Sequence, residues 1–409
     1  MTNTRTNYFP DDKNRPTYHF MPPKNWMNDP NGLIHWKGKY HLFYQHNPNA
    51  PVWGDIHWGH AISDDLIHWQ DMPIALAPTP NSPDERGVWS GCTIDNDGVA
   101  TIFYTGARGE HHDEQTVCIA TSTDDDLTLW QKYEQNPVIA APPKEFEGCG
   151  FRDPYVFKHN DTWLMVIGAG IPEGGEAVLL YKSDDLYNWT YLHPLMISNA
   201  KNDFAYECPS FLPITDDKWM LIVSLMPESS VQYFVGTFEN YKFTPTSSGR
   251  LADGAFYAPL AFIDDQQRRL LMGWIRETRP IAHSQSAGWA GVASLPLEIT
   301  LKDSRPVLAP IRGLLPPDRA VDYWEFTNVT FDKLDEIETT IDTRAIKVVS
   351  SEYPDWTVYI DHSVIEAFSK HGHYRIMRDY NRPGIYSLQS LFSFPLGKVS
   401  IWKIANIWD

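Results

Sequence analysis

Short apolar runs separated by polar turns organise the chain. Gly32-Leu33-Ile34-His35-Trp36 leads through Lys37-Gly38-Lys39 into Tyr40-His41-Leu42-Phe43-Tyr44. The same run, turn and run returns at 155–166, 211–223 and 260–274, and at 93–104 around Asp95-Asn96-Asp97-Gly98. Runs of this length, closed by Gly, Asn and Asp, predict β-hairpins. A second pattern keeps the same step. Ser63-Asp64-Asp65-Leu66-Ile67-His68-Trp69 returns in extended form at 122–130 and again at 183–189, with the closing tryptophans 61 and 59 residues apart. Three copies near one period mark a repeated supersecondary unit. Five hairpin units predict an all-β fold in which radial repetition protects the sheet edges, a five-bladed β-propeller.

The pattern sets the expected domains. Residues 1–18 read as a lead-in and 19–303 as the propeller. Arg305-Pro306, Pro310 and Leu315-Pro316-Pro317-Asp318 mark a proline-rich linker over 304–317. Alternating segments such as Trp356-Thr357-Val358-Tyr359-Ile360 and Val364-Ile365-Glu366-Ala367-Phe368 then predict a small β-sandwich over 318–409. That part carries no catalytic constellation, and its expected role is structural or as the contact of a homo-oligomer.

Composition narrows the function classes. A formal charge of −18 over 409 residues argues against nucleic acid and against an anionic membrane surface as partners. No run approaches the roughly 18 apolar residues of a membrane span, and Met1 to Phe20 lacks the apolar centre of a secretory signal. Cys92, Cys118, Cys149 and Cys208 contain no Cys-x-x-Cys pair, so they read as free thiols of a cytoplasmic protein. No metal or cofactor is expected. His371-Gly372-His373 reads as an exposed turn, and the acidic turns at 95–98 and 124–126 lack a full calcium loop.

The candidate chemistry lies where the hairpins begin. Asp29-Pro30, Asp153-Pro154, Glu207-Cys208-Pro209 and Ala258-Pro259 each precede the first apolar run of a repeat. Pro30 biases Asp29 towards an extended backbone, and Asn31-Gly32 then redirects the chain. Equivalent positions of a propeller converge on its axis, so three carboxylates are expected to face one pocket. Acids so placed repel one another and push their pKa values apart. This suits glycoside cleavage, in which one carboxylate attacks or positions water and another protonates the leaving oxygen. A non-catalytic sugar-binding rim is the competing use of the same acids.

At this point the residues resemble a known family. Trp26 to Gly32, Phe151-Arg152-Asp153-Pro154 and Glu207-Cys208-Pro209 are similar to the three acidic blocks of glycoside hydrolase family 32, the invertase, inulinase and levanase group. The resemblance extends to Tyr44-Gln45, Pro51-Val52-Trp53-Gly54, His57-Trp58-Gly59-His60 and Trp89-Ser90-Gly91, and on to Phe256-Tyr257-Ala258, Gly273-Trp274, Ser294-Leu295-Pro296 and 359–366. It implies a propeller with a sandwich behind it, and retaining hydrolysis of terminal β-D-fructofuranosides. It also implies roles. Asp29 would be the nucleophile and Glu207 the acid and base, with Asp153 beside Arg152 stabilising the transition state. Asn28, Gln45, Trp53, Trp89, Ser90 and Trp274 would line the fructose pocket, with Tyr257 near the acid. Cys208 either tunes its neighbour Glu207 or only packs; Trp36, Trp58, Trp69, Trp130 and Trp189 are assigned to core. Ala255, Leu297 and Trp89 depart from the usual pattern, which leaves the preferred leaving group open.

The implied partner is a small sugar, sucrose or a fructo-oligosaccharide. Sucrose phosphate, longer fructans, fructosyl transfer and an inverting furanosidase stand as alternatives. A phosphorylated substrate would call for a basic cluster, for which Arg108, Arg276 and Arg279 are candidates.

Overall fold

The structure is a computed structural model. It describes residues 11–405 apart from 173, 199–203, 227, 313–319, 331–332, 382–383 and 393–394. The start of the lead-in and the Leu315-Pro316-Pro317-Asp318 stretch of the linker therefore lie outside the described residues.

The hairpins form where the apolar runs place them. Asn25–Trp36 pairs antiparallel with Lys39–Asn47, so that Trp36 faces Lys39 across the turn. Lys37 and Gly38 both have positive φ, as the two-residue turns that match strand twist require. Asp97-Gly98 and Asn160-Asp161 turn the next two hairpins in the same way. The Ser-Asp-Asp-Leu repeat is the turn from third to fourth strand. In the first copy Asp65 accepts from the backbone amides of Ile67 and His68, at 2.8 Å each. Leu66 takes a left-handed backbone and buries its side chain, and the Trp69 indole donates to the Leu66 carbonyl at 3.1 Å. Asp124, Leu127 and Trp130, and Asp185, Leu186 and Trp189, repeat the arrangement.

The sheets give a propeller-like all-β fold. Four are self-contained blades of four or five strands, one fewer than expected. The strands of the fourth repeat, from Tyr206–Pro213 to Lys242–Gly254, instead run on into the C-terminal strands as one ten-stranded sheet. The join is a parallel pairing of Asp253 and Gly254 with Arg375 and Ile376. Gly254 permits it, since a Cβ there would lie 1.9 Å from the Ile376 carbonyl oxygen. The five inner strands, Asn25–Trp36, Gly87–Asn96, Phe151–His159, Tyr206–Pro213 and Phe256–Ile263, each contact the next, and the last returns to the first. Trp289–Ala290 closes the ring by pairing parallel with Asn25 and Trp26.

The expected sandwich over 318–409 takes another form among the described residues. The strands from Ala320–Val329 to Gly397–Ile404 make one antiparallel path of six. One face carries Val358, Ile360, Ile365 and Ala367 into a core covered by helix Leu334–Thr340 and the turn Ile385–Ser390, so helices stand where a second sheet was expected. Alternate residues Tyr359, Val364 and Phe368 point the other way, into the propeller core, as a strand period of two dictates.

Thr17 and Tyr18 are not loose, although they fall in the expected lead-in. The backbone amides of Thr17, Tyr18 and His19 donate to Asp361 at 2.7–2.9 Å, and the Tyr18 side chain is buried. Sequence alone gives no sign of this tie, because its acceptor lies more than 340 residues away.

Candidate active site

Each inner strand carries a β-bulge near its start. The register breaks between Met27 and Pro30, between Trp89 and Gly91, between Glu207 and Ser210, and between Tyr257 and Leu260. The third repeat breaks opposite Arg152 to Tyr155. A strand normally sends adjacent side chains to opposite faces; a bulge re-aims one of them. That is why adjacent pairs (Asn28 and Asp29, Trp89 and Ser90, Arg152 and Asp153) serve one pocket. The alignment also refines the expected equivalence. Asp29, Ser90, Asp153, Cys208 and Ala258 occupy one position, and Glu207 sits one residue earlier, level with Asn28, Arg152 and Tyr257.

Asp153, Cys208 and Ala258, each before a proline, are left-handed, with φ of 66°, 47° and 45°. This conformation costs a non-glycine residue about 1–2 kcal/mol, and side chains of neighbouring repeats hold it. The Asp153 amide donates to Thr105 Oγ1 at 2.8 Å and the Ala258 amide to Ser224 Oγ at 3.0 Å. The Cys208 amide donates to Asp153 Oδ2 at 2.8 Å.

Every residue assigned from sequence to catalysis or to the fructose pocket lines one cavity of about 400 Å³. Asp29, Asp153 and Glu207 meet there with Asn28, Gln45 and Ser90, and the wall holds Trp53, Trp89, Arg152, Tyr257 and Trp274. Asp29 accepts from Asn28 Nδ2 at 3.0 Å and from Ser90 Oγ at 2.7 Å. The Trp26 indole donates to Asn28 Oδ1 at 2.7 Å, which aims the amide nitrogen at Asp29. Glu207 is gripped from both sides: Arg152 donates to Oε1 at 2.6 Å and the Tyr257 hydroxyl to Oε2. Gln115 in turn accepts from Arg152 at 3.2 Å. The Cys208 thiol reaches Asp29 Oδ2 and Asp153 Oδ2, at 3.5 Å each. It bridges the other two acids, a use that adjacency in sequence does not reveal.

Burial raises Asp29 to about 6; the Asn28 and Ser90 hydrogen bonds oppose the shift and the charge of Glu207 adds to it. Burial also raises Asp153, to about 7, with Arg152 pulling down and Glu207 pushing up. Asp153 and Glu207 thus share one guanidinium, while Asp29 has only neutral donors. Burial lifts the Tyr257 hydroxyl as well, reinforced by Glu207, so it stays a donor.

His111, His112, Gln115 and Met226 also line the cavity and escaped the sequence reading. His112 stacks on Trp89, with centroids 5.5 Å apart, and meets Trp53 edge-on at 5.5 Å. A signal was available. The turn between second and third strands returns to the end where the inner strand begins; 109–113 is such a turn, and Met226 directly follows a second strand. Of the candidate phosphate binders, Arg108 faces Glu85 and Glu114 at 3.7 and 3.6 Å. Arg279 pairs with Glu277 at 2.7 Å under Trp289. Arg276 lies over the Tyr257 ring. They form no cluster. His371 faces Asp355 at 3.4 Å and His373 stacks on Trp356. Trp36, Trp58 and Trp69 are buried, and Trp130 and Trp189 pack partly buried against the core. Among the described residues, no helix is long and apolar enough to cross a membrane.

Comparison with known proteins adds to this geometry. The profile of the glycosyl hydrolases family 32 N-terminal domain matches residues 19–310. A sucrose-6-phosphate hydrolase of Zymomonas mobilis is 36% identical over 324 residues, a match covering 73% of this chain. The match spans 62% of that protein's length. Among solved structures, a sucrose-6-phosphate hydrolase from Lactobacillus gasseri superposes with a TM-score of 0.81 at 21% identity, covering 99% of this chain and 96% of that one. Fructan 1-exohydrolase IIa from Cichorium intybus, solved with 1-kestose, gives 0.80 at 23% identity, covering 96% and 98%. These two likenesses establish a shared fold.

Proposed function

The chain belongs to glycoside hydrolase family 32, and we propose that it is a retaining β-fructofuranosidase releasing terminal fructose from sucrose and short fructo-oligosaccharides. One observation carries this reading. Asp29, Asp153 and Glu207 line a single cavity, with Asp29 set apart on small neutral donors and Glu207 held by a guanidinium and a phenol.

The assigned steps follow from those surroundings. Asp29 attacks the anomeric C2 of the fructosyl unit. The C2–O bond breaks, its electron pair goes to the leaving oxygen, and Glu207 supplies the proton. Water then attacks C2, the Asp29–C2 bond breaks, and Glu207 takes up the water proton. Asp153 accepts hydrogen bonds from fructose hydroxyls and, with Arg152, balances the positive charge that develops on the ring. The aromatic wall of Trp53, Trp89 and Trp274 takes the apolar face of the sugar. We read the Tyr206 to Gly254 strands as the fifth propeller blade, fused to a C-terminal domain that replaces the second sheet of a sandwich by helices.

Incubation with sucrose tests the reading, with free glucose and free fructose followed separately. Equal release is expected. Glucose in excess would mean that fructosyl groups pass to another sugar. Release of neither, from sucrose or from fructans, would leave a sugar-binding propeller as the better account.

A further inference from the structure

Gln115 lines the cavity from outside the acidic blocks, near the start of the strand Glu114–Ser122. Its side-chain amide joins three partners. Oε1 accepts from the Phe151 backbone amide at 2.9 Å and from Arg152 Nη1 at 3.2 Å. Nε2 donates to the His112 carbonyl at 3.0 Å. Donors face one end of the amide and an acceptor faces the other, so its partners fix its orientation. An apolar side chain of this length would satisfy none of them, and a carboxylate would set an oxygen against the His112 carbonyl.

Arg152 divides its guanidinium between this amide and Glu207. Nη2 donates to Glu207 Oε1 at 2.6 Å while Nη1 meets Gln115. Gly150 leaves room for the second contact, since a Cβ there would lie 2.6 Å from Nη1. The two contacts differ in one respect. That to Glu207 is an ion pair, and it weakens whenever Glu207 carries the proton it is to deliver. That to Gln115 has a neutral acceptor and does not depend on the proton. Asp153 also attracts the guanidinium, so a loosely held Arg152 would be drawn towards it once Glu207 is neutral.

From this arrangement we infer that Gln115 is a positioning residue for the proton transfer: it anchors Arg152 beside Glu207 both when Glu207 is charged and when it is neutral. The inference rests on the proposed function and adds to it a residue outside the acidic blocks. The same amide ties down the 109–113 turn, whose His112 stacks on Trp89. One side chain therefore fixes the acid's partner and part of the pocket wall together.

The test, on the full-length protein, compares sucrose, whose leaving oxygen needs a proton, with 4-nitrophenyl β-D-fructofuranoside, whose leaving group does not. Gln115→Met should lower kcat on sucrose by about 10- to 100-fold, with KM changed less than about threefold, as partial loss of acid catalysis predicts. Single-turnover release of nitrophenolate, which reports only the first bond cleavage, should fall by less than about threefold. In an Arg152→Ala background the same substitution should lower sucrose turnover by less than about twofold more, because the residue it acts through is already gone. Gln115→Asn keeps an amide but is too short to span Arg152 and His112. It should show the same split between substrates, and it decides the question if Gln115→Met does not fold. Equal losses on the two substrates, additive losses in the double variant, or parent-like kinetics overturn the inference and leave the proposed function standing. A parent protein that cleaves no β-fructoside removes the proposed function, and this inference falls with it.

Discussion

Two groups of buried and half-buried acids in this molecule have opposite surroundings. In the propeller mouth, Asp153 and Glu207 share Arg152, Asp29 has only neutral donors, and all three line one cavity. At the seam with the C-terminal sheet, Asp361 and Glu366 hold His19 between them at 2.8 and 2.9 Å, with all three side chains inaccessible. Asp361 also accepts three backbone amides, and Glu366 accepts the Leu295 amide at 2.8 Å and the Tyr374 hydroxyl at 2.6 Å. Burial opposes the charge on His19, yet the hydrogen bonds to the two acids outweigh it and lift His19 to about 9. Burial likewise opposes the charge on Asp361, but the bond to His19 and the amides hold its carboxyl below the ordinary range. In the mouth, Asp29 and Asp153 are less fully compensated and rise instead. Burial alone therefore does not decide what an acid does. The count and placement of donors does: full satisfaction makes a clasp, and partial satisfaction leaves groups that can exchange protons and bond to carbon.

The comparison breaks most sharply by mutation at the mouth. Glu207→Gln should lower turnover of sucrose by roughly 10²–10⁴-fold, and Asp29→Ala by at least as much. For Asp29→Ala the melting temperature should hold or rise, since its raised carboxyl pKa means that ionisation at neutral pH costs the native state stability. A variant that melts early with its turnover intact would reverse the assignment of the two groups. At the seam the outcome should invert. His19→Ala leaves two acids buried without their cation and should cost about 3–5 kcal/mol in denaturant titrations, with turnover per folded molecule near that of the parent.

The two groups should also answer pH in opposite directions. His19 gains protons on folding, so its contribution is complete below about 6.5 and is lost as pH rises through about 9. Asp361, lowered on folding, contributes above its unfolded value and loses that contribution as pH falls. As the proposed nucleophile, Asp29 must be ionised, so kcat/KM should fall on the acid side as pH drops through about 6. The acid limb of the activity profile should therefore lie above the pH at which the fold begins to fail in acid. The smallest effect is expected from Ser90→Ala. Loss of its 2.7 Å hydrogen bond to Asp29 should move the acid limb upwards by up to about one pH unit.

The mouth was largely legible in sequence because it is built from local devices repeated at one period. The prolines at 30, 154, 209 and 259 mark the strand starts, and the acids stand beside them. What stayed hidden depends on contacts across the fold. The one-residue offset of Glu207 follows from a bulge that only pairing with the neighbouring strand reveals. The reach of Cys208 to Asp29 crosses 179 residues. The seam was illegible for the same reason: Asp361 and Glu366 stand in a recognised motif, but their partners are His19, in the opening segment, and Leu295, at the end of the propeller. The merged fourth sheet depends on Gly254 meeting Ile376, a parallel pairing with no local signature.

The central claim, that the mouth acids divide into a nucleophile and a proton donor, is tested most directly by trapping. Glu207→Gln, given a fructoside whose leaving group needs no protonation, should accumulate a covalent fructosyl-enzyme, with mass spectrometry of the quenched protein placing the sugar on the peptide that contains Asp29. Turnover of that substrate with no adduct, and with inversion at the released anomeric centre, would contradict the account.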